Sequence, residues 1–418
     1  MANVVVVGGG FAGLSAAARL AKLRHDVTLV EAGDRLGGRL HGHRVGDRTW
    51  QLDADTVTLP GVFRDLFRKS GRPLEDVLGL TQVAGRRHVF RDRTVLDLPL
   101  GSRGDQHNAV VEAFGEDEWS PWLDRFGDQW DVIRRTALDQ VFAGKAAVDR
   151  QLRRTLHPRR TVKGLDRELA DARLAKIVLD PVRLAGQDRR TTPGFVAVAH
   201  HVERSFGRWR FEGGRPALAA ALEQRLVERG VTVQLRESAH ELVLDAGRVR
   251  TVVTDRRALS ADVVVWCAPN RPAPLPPVPM LPVIPASRTL VALGPDAPVL
   301  PHDVLVHANP PIRLWSADGV AWTIEHRSGE DPLHVLARSG IDLRPHVLVR
   351  TDLPPTELVG LGHWGWAWNT WTTAMELPGV APSGGLYFAG AHAHPGGSLE
   401  AIGMATAAIA GDIGPAPR

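Results

Sequence analysis

Gly8, Gly10 and Gly13 stand in G-x-G-x-x-G spacing, and Glu31 follows about twenty residues further on. The chemistry such residues can do is binding. The early glycines, with Ala12 beside them, permit a tight turn and close backbone approach, so that a pyrophosphate can rest on a helix N-terminus. Gly13 keeps that helix close to a sheet, and Glu31 is placed to accept hydrogen bonds from a ribose hydroxyl. The flanking residues supply the elements needed to position them. A β-branched run over 4–7 reads as a buried parallel strand. Leu14, Ala17, Leu20, Ala21 and Leu23 build the helix, and a second strand over 27–30 delivers Glu31. Strand, turn, helix, strand and acid together define a dinucleotide site.

The residues after Glu31 narrow the choice of dinucleotide. Glu31-Ala32-x-x-Arg35-x-Gly37-Gly38-Arg39 resembles the second signature of FAD enzymes related to amine oxidases and phytoene desaturases. The resemblance implies FAD as cofactor, with the glycine pair passing close to it and Arg39 meeting the phosphates through its fork of donors. Gly33 departs from the pattern, standing where many relatives carry another arginine. Residues 50–60 resemble the phytoene desaturase stretch that passes beside the flavin. There Asp53 takes a glycine position and Asp55 a hydroxyl position. On that path a desolvated carboxylate could act as a general base; the alternative turns both acids outward to cap the next helix.

The return to the cofactor domain is carried by Gly213-Gly214-Arg215-Pro216 before an amphipathic helix over 217–229, then strand-like runs at 231–235, 249–253 and 261–266. These resemble the small meander and returning strand of a two-part FAD domain, and the resemblance puts the backbone of Ala239 against the adenine. Near the end, Gly385 to Gly397 resembles the phytoene desaturase closing motif, His394-Pro395-Gly396-Gly397 in particular. It implies flavin contacts from Gly390, Ala391, Gly397, Ser398 and Leu399, where a new helix over 399–410 begins.

The expected architecture is α/β: a two-part Rossmann-type FAD-binding domain, of the glutathione reductase and amine oxidase kind, beside a substrate domain of mixed sheet and helical cap. Residues 1–60, 205–270 and 383–418 are assigned to the first, and 61–204 and 271–382 to the second. The cap carries helical spacing at Val62, Phe63, Leu66 and Phe67 and an aromatic stripe at Trp119, Trp122 and Trp130. The substrate sheet is read at 288–293, 304–307, 312–315 and 320–324. Residues 363–371, His-Trp-Gly-Trp-Ala-Trp-Asn-Thr-Trp, read as a strand that points indoles to one face. Trp366 and Trp368 are expected on the wall of an apolar substrate pocket, with His394 close to it.

With 418 residues, 44% of them hydrophobic and 23% charged, the chain has the composition of an ordinary globular protein. The net charge of +4 and pI near 9.7 come from arginines interspersed with acids, without the aromatic-interleaved basic run of a nucleic-acid binder. A single cysteine, Cys267, excludes a disulfide framework and a Cys-rich metal site, and no metal is expected. The first strand leaves no room for a signal peptide, and no apolar run approaches the ~18 residues of a membrane span. The chain therefore reads as cytoplasmic, with peripheral membrane contact left open.

Three functions fit these residues. The first is a desaturase or dehydrogenase that passes a hydride from a lipophilic, isoprenoid- or polyene-like substrate, or a secondary metabolite, to flavin N5. The second is an amine oxidase-type flavoenzyme, disfavoured because no lysine follows Lys176 and Tyr387 is the only tyrosine. The third is a redox-neutral flavin-dependent isomerase or hydratase, for which Asp53 is the supporting feature. The partner implied is a small, apolar molecule; the residues name no electron acceptor.

Overall fold

The computed structural model describes residues 1–380, 382–393 and 397–417. Its organising layer is a parallel sheet of five strands in the order Leu386–Phe388, Val263–Trp266, Asn3–Val7, Asp26–Glu31 and Thr232–Leu235. The central strand is buried at Val4 to Val7, as a strand covered on both faces must be. One face takes the helices Phe11–Lys22, Pro60–Ser70, Gly214–Glu228 and Leu399–Ile413. The other packs Val5, Val7 and Trp266 against an antiparallel meander of Ala239–Asp245, Arg248–Thr254 and Ala258–Ser260.

The second layer is a sheet of seven strands, in the order Val347–Leu353, Ser287–Leu293, Ala321–His326, Ile312–Ser316, Asp303–Val306, Gly85–Val89 and Val95–Pro99. Its apolar face buries Val291, Val304, Leu314 and Ile324 with the helix Pro332–Arg338. Helices between Arg103 and Phe206 form the cap, around a separate core that holds Trp119, Trp122 and Val202.

Several expectations are corrected. The run at 231–235 extends the parallel sheet, and the meander is built instead by strands beginning at Ala239. The helix Pro60–Ser70, placed with the cap by sequence, sinks Phe63, Leu66 and Phe67 into the core of the nucleotide layer. Residues 85–99, read with the helical cap, supply two strands of the substrate sheet. The indole-rich run forms only a two-residue strand, Gly365–Trp366, paired with Pro282–Val283; the rest is loop and a short helix Trp371–Met375. Glycine and asparagine among the indoles interrupt the alternation that a longer strand needs.

Candidate functional site

Residues from the chain's beginning, middle and end converge on one cavity of about 1480 Å³. Its first wall is the turn after the strand Asn3–Val7. Gly8 holds φ at +99°, and a Cβ there would press on the backbone of Cys267 and Ala268. A Cβ on Gly13 would collide with the carbonyl of Gly8, so the helix can start this close to the turn only with glycine at that position. A Cβ on Gly10, by contrast, would meet nothing within 4 Å. Gly10 borders the cavity, and its missing side chain leaves the open space a ligand's phosphates need.

Glu31 closes this turn from the end of the second strand. Its Oε2 accepts the Gly9 N–H at 2.6 Å and its Oε1 the Gly33 N–H at 2.6 Å. The carboxylate is thus oriented by backbone while lining the cavity beside Ala32. Gly37, at φ +96°, donates its N–H to the Gly9 carbonyl at 2.8 Å, which brings the second loop against the first. Gly8, Ala12, Gly37, Gly38, Arg39 and Ala239 line the same space, as do Gly390, Ala391, Gly397, Ser398 and Leu399 at the chain's end. Ser398 caps the last helix by accepting the Ala401 N–H at 3.3 Å. Arg35 does not join them: it is exposed and outside the cavity wall. Gly13 stays behind the wall in its packing role, and His394 lies outside the described residues.

The two acids read as bases by sequence part company. Asp53 borders the cavity and is gripped by Arg39 through two bonds of 2.9 Å, by Arg215 at 3.3 Å and by His363 Nδ1 at 3.3 Å. Burial pushes its carboxyl up, but Arg39, His363 and Arg215 outweigh that and hold it well below the usual carboxylate range. Asp53 is therefore an ionised anchor for two arginines, a correction to its reading as a desolvated base. Arg39, in turn, spends much of its fork on Asp53. Asp55 is buried and faces away from the large cavity, where its Oδ1 accepts the Arg215 N–H at 3.2 Å, inside the first turn of the helix Gly214–Glu228. Burial raises its pKa, with Arg215 and Arg210 opposing. Asp55 thus turns away from the cavity, but inward, and bonds a helix some 160 residues on and not the next one, Pro60–Ser70.

Beyond the glycines the cavity widens between cap and substrate sheet. Trp366 and Trp368 line it, together with Trp364, Trp130, Leu138 and Phe195. The Trp366 indole N–H donates to the His392 carbonyl at 2.8 Å, and Trp364 stacks on the His392 ring at 3.8 Å. Burial, aided by nearby Arg39, lowers the His392 pKa to about 4, so this imidazole is neutral at pH 7. Glu400, also on the wall, accepts from the Thr58 hydroxyl at 2.9 Å and fixes the last helix to the loop after Asp53. Sequence reasoning passed over His363, Trp364, His392 and Arg215, although each lies within a motif it singled out.

A glycine-turn dinucleotide pocket that opens directly into a capped second chamber is the design of two-domain oxidoreductases. The chain belongs to the flavin-containing amine oxidoreductase family, whose sequence model matches residues 11–294. Among curated proteins it is similar to the 4,4'-diaponeurosporene oxygenase of Staphylococcus aureus (strain MRSA252), 27% identical over 244 residues, which are 55% of this chain and 48% of that protein. It is also similar to the 4,4'-diapolycopene oxygenase of Methylomonas sp, 26% identical over 275 residues, 63% of this chain and 55% of that one. The chain thus spans about half the length of the curated relatives it matches. A solved putrescine oxidase bound to putrescine shares its fold, with a TM-score of 0.65, 15% identity, and 99% of this chain and 98% of the other covered. Among the described residues no helix is long and apolar enough to cross a membrane.

Proposed function

We propose that this chain binds FAD and dehydrogenates a lipophilic, polyene-like substrate held in the chamber between cap and sheet. The observation that carries this reading is the continuity of the cavity. At about 1480 Å³ it exceeds the roughly 300–1,000 Å³ of a single-ligand pocket, and it joins the glycine turn to the indole wall without a break. FAD, when bound, supplies the acceptor for the hydride. The chain's own residues bind, orient and exclude water. Gly10 and the N-terminus of Phe11–Lys22 would receive the pyrophosphate, Glu31 the adenosine ribose and Ala239 the adenine. Asp53 holds Arg39 and Arg215 at the cavity wall, so that their charge faces the cofactor. Trp366, Trp368, Leu138 and Phe195 present an apolar surface along which an extended substrate lies.

The substrate proton that accompanies hydride loss passes to water, because Asp53, held by Arg39 and Arg215, and His392, its pKa lowered to about 4, are both poor acceptors. Two features speak against a simple amine as substrate. Among the described residues no lysine lines the cavity, and Tyr387 donates its hydroxyl to Asp412 away from it. Support also comes from the curated relatives, whose names place them with carotenoids.

Anaerobic addition of polyenes, and separately of primary amines, to the purified flavoprotein tests this. Bleaching of the oxidised flavin absorbance by a polyene is expected. Bleaching by amines alone would overturn the substrate class.

A further inference from the structure

One side of this apolar chamber is charged. Arg288, Glu325 and Arg313 stand opposite one another on three adjacent strands, so their side chains form a row on the sheet face that floors the cavity. Arg288 reaches Glu325 at 2.9 Å, and Arg313 grips Asp303 with two bonds of 2.9 and 2.8 Å. Behind them Arg86 and Arg208 share Glu203 and Asp303: Arg86 at 3.6 and 3.0 Å, Arg208 at 3.3 and 3.4 Å. Arg327, also on the wall, donates to the carbonyls of Leu184 and Ile284 at 2.7 Å each and touches no carboxylate.

Five guanidinium groups here therefore face three carboxylates. The neighbouring Arg210 and Asp55 pair with each other and do not alter the balance. Part of that surplus falls on Arg208. Arg208 has only long contacts to its shared acids, and its buried Nε has no partner. A surplus of buried positive charge is costly unless an anion completes it. A hydrocarbon substrate would leave it uncompensated. The apolar wall leads directly to this spot: Val198 and Val202 line the cavity from the helix Val198–Phe206, and the same helix carries Glu203 beside Arg208.

We propose that the occupant of the chamber is an amphipathic acid, an unsaturated apolar chain ending in a carboxylate that lodges against Arg208. The inference rests on the reading of this chamber as the substrate site, but it does not need the redox step. A planar carboxylate suits guanidinium donors, and the paired arginines around it are already fixed by Asp303 and Glu325.

The test uses the purified flavoprotein and two probes that differ only at the head, all-trans-retinoic acid and its methyl ester. Binding is followed by quenching of the tryptophan fluorescence. The acid is expected to bind roughly tenfold to a hundredfold tighter than the ester, the worth of a hydrogen bond between charged groups. Arg208→Met should abolish that preference and leave ester binding unchanged, and Arg208→Lys should restore part of it. Should Arg208→Met fail to fold, the comparison of acid and ester in the unaltered protein still decides, because it needs no variant. Equal affinities, tighter ester binding, binding of neither probe, or a preference that survives Arg208→Met would overturn the proposal. An Arg208-dependent preference for the acid, with flavin that no substrate bleaches, would keep the anion site and remove the dehydrogenase reading. Bleaching by hydrocarbon polyenes without any preference for the acid would do the reverse.

Discussion

Asp53 and Asp55 are two residues apart and are pushed in opposite directions, and pH separates them. Asp53 is held below its ordinary pKa by Arg39, His363 and Arg215 acting against burial. Its contribution to stability is present above the unfolded value of about 3.9 and is lost only as pH falls through the lower folded value. Asp53→Asn should therefore destabilise the fold at neutral pH by roughly 1–3 kcal/mol, because Arg39 and Arg215 lose their shared charged acceptor. Asp55 has the opposite sign. Burial raises its pKa, so its ionisation weakens the fold as pH rises from the unfolded value through the folded one. Asp55→Asn keeps an oxygen for the Arg215 N–H and removes that cost. Its melting temperature should exceed that of the unaltered chain at pH 7, with the difference shrinking as pH approaches 4. Thermal melts of the two variants across this range check both signs. Identical pH dependence for the two would contradict the assignment. Neither sign was legible in the sequence: both positions read as acids near the cofactor, and only the fold shows that Arg39 and His363 close on Asp53 while Asp55 is buried against the helix Gly214–Glu228.

At the level of elements, the opening strand–turn–helix is where sequence and structure agree most closely, because its constraints are local. The helix Phe11–Lys22 can approach the turn only because position 13 has no side chain. Gly13→Val should cost about 1–3 kcal/mol through overpacking against backbone that cannot move away. It should also strip the bound cofactor, read as a fall in the visible-to-ultraviolet absorbance ratio; retention of full occupancy would contradict the packing role. Elsewhere the sequence carries a weaker signal, for physical reasons. Pro60–Ser70 has an amphipathic pattern that says it buries Phe63 and Phe67 but not against which layer. Gly85–Val89 carries Arg86, Arg87 and His88, which obscure the apolar alternation of a strand. Arg86 joins the ion pairs behind the chamber floor, Arg87 pairs with Asp97 at the surface and His88 is buried against His307, so polar side chains occupy both faces of the strand. The indole run was found by composition, but its form as a loop against His392 depends on the end of the chain.

For the whole molecule, the defining feature is that one cavity is shared by segments from both ends of the chain and from its middle. The glycine turn, the loop after Asp26–Glu31, the Ala239 region, Gly390 with Ala391, and Gly397 to Leu399 meet there from distant parts of the sequence. The parallel sheet makes that possible, since its strands from residues 3, 26, 263 and 386 all end on the same side. The substrate chamber then follows from how the second sheet and the cap are set against that edge. Cofactor binding is therefore the property on which the shared cavity depends first. The most direct measurement is the absorbance spectrum of the purified chain, with the chromophore released by heat and identified by mass. The account predicts the two visible bands of oxidised flavin and release of one FAD per chain. A colourless protein that takes up no flavin on reconstitution would contradict it from the glycine turn onward.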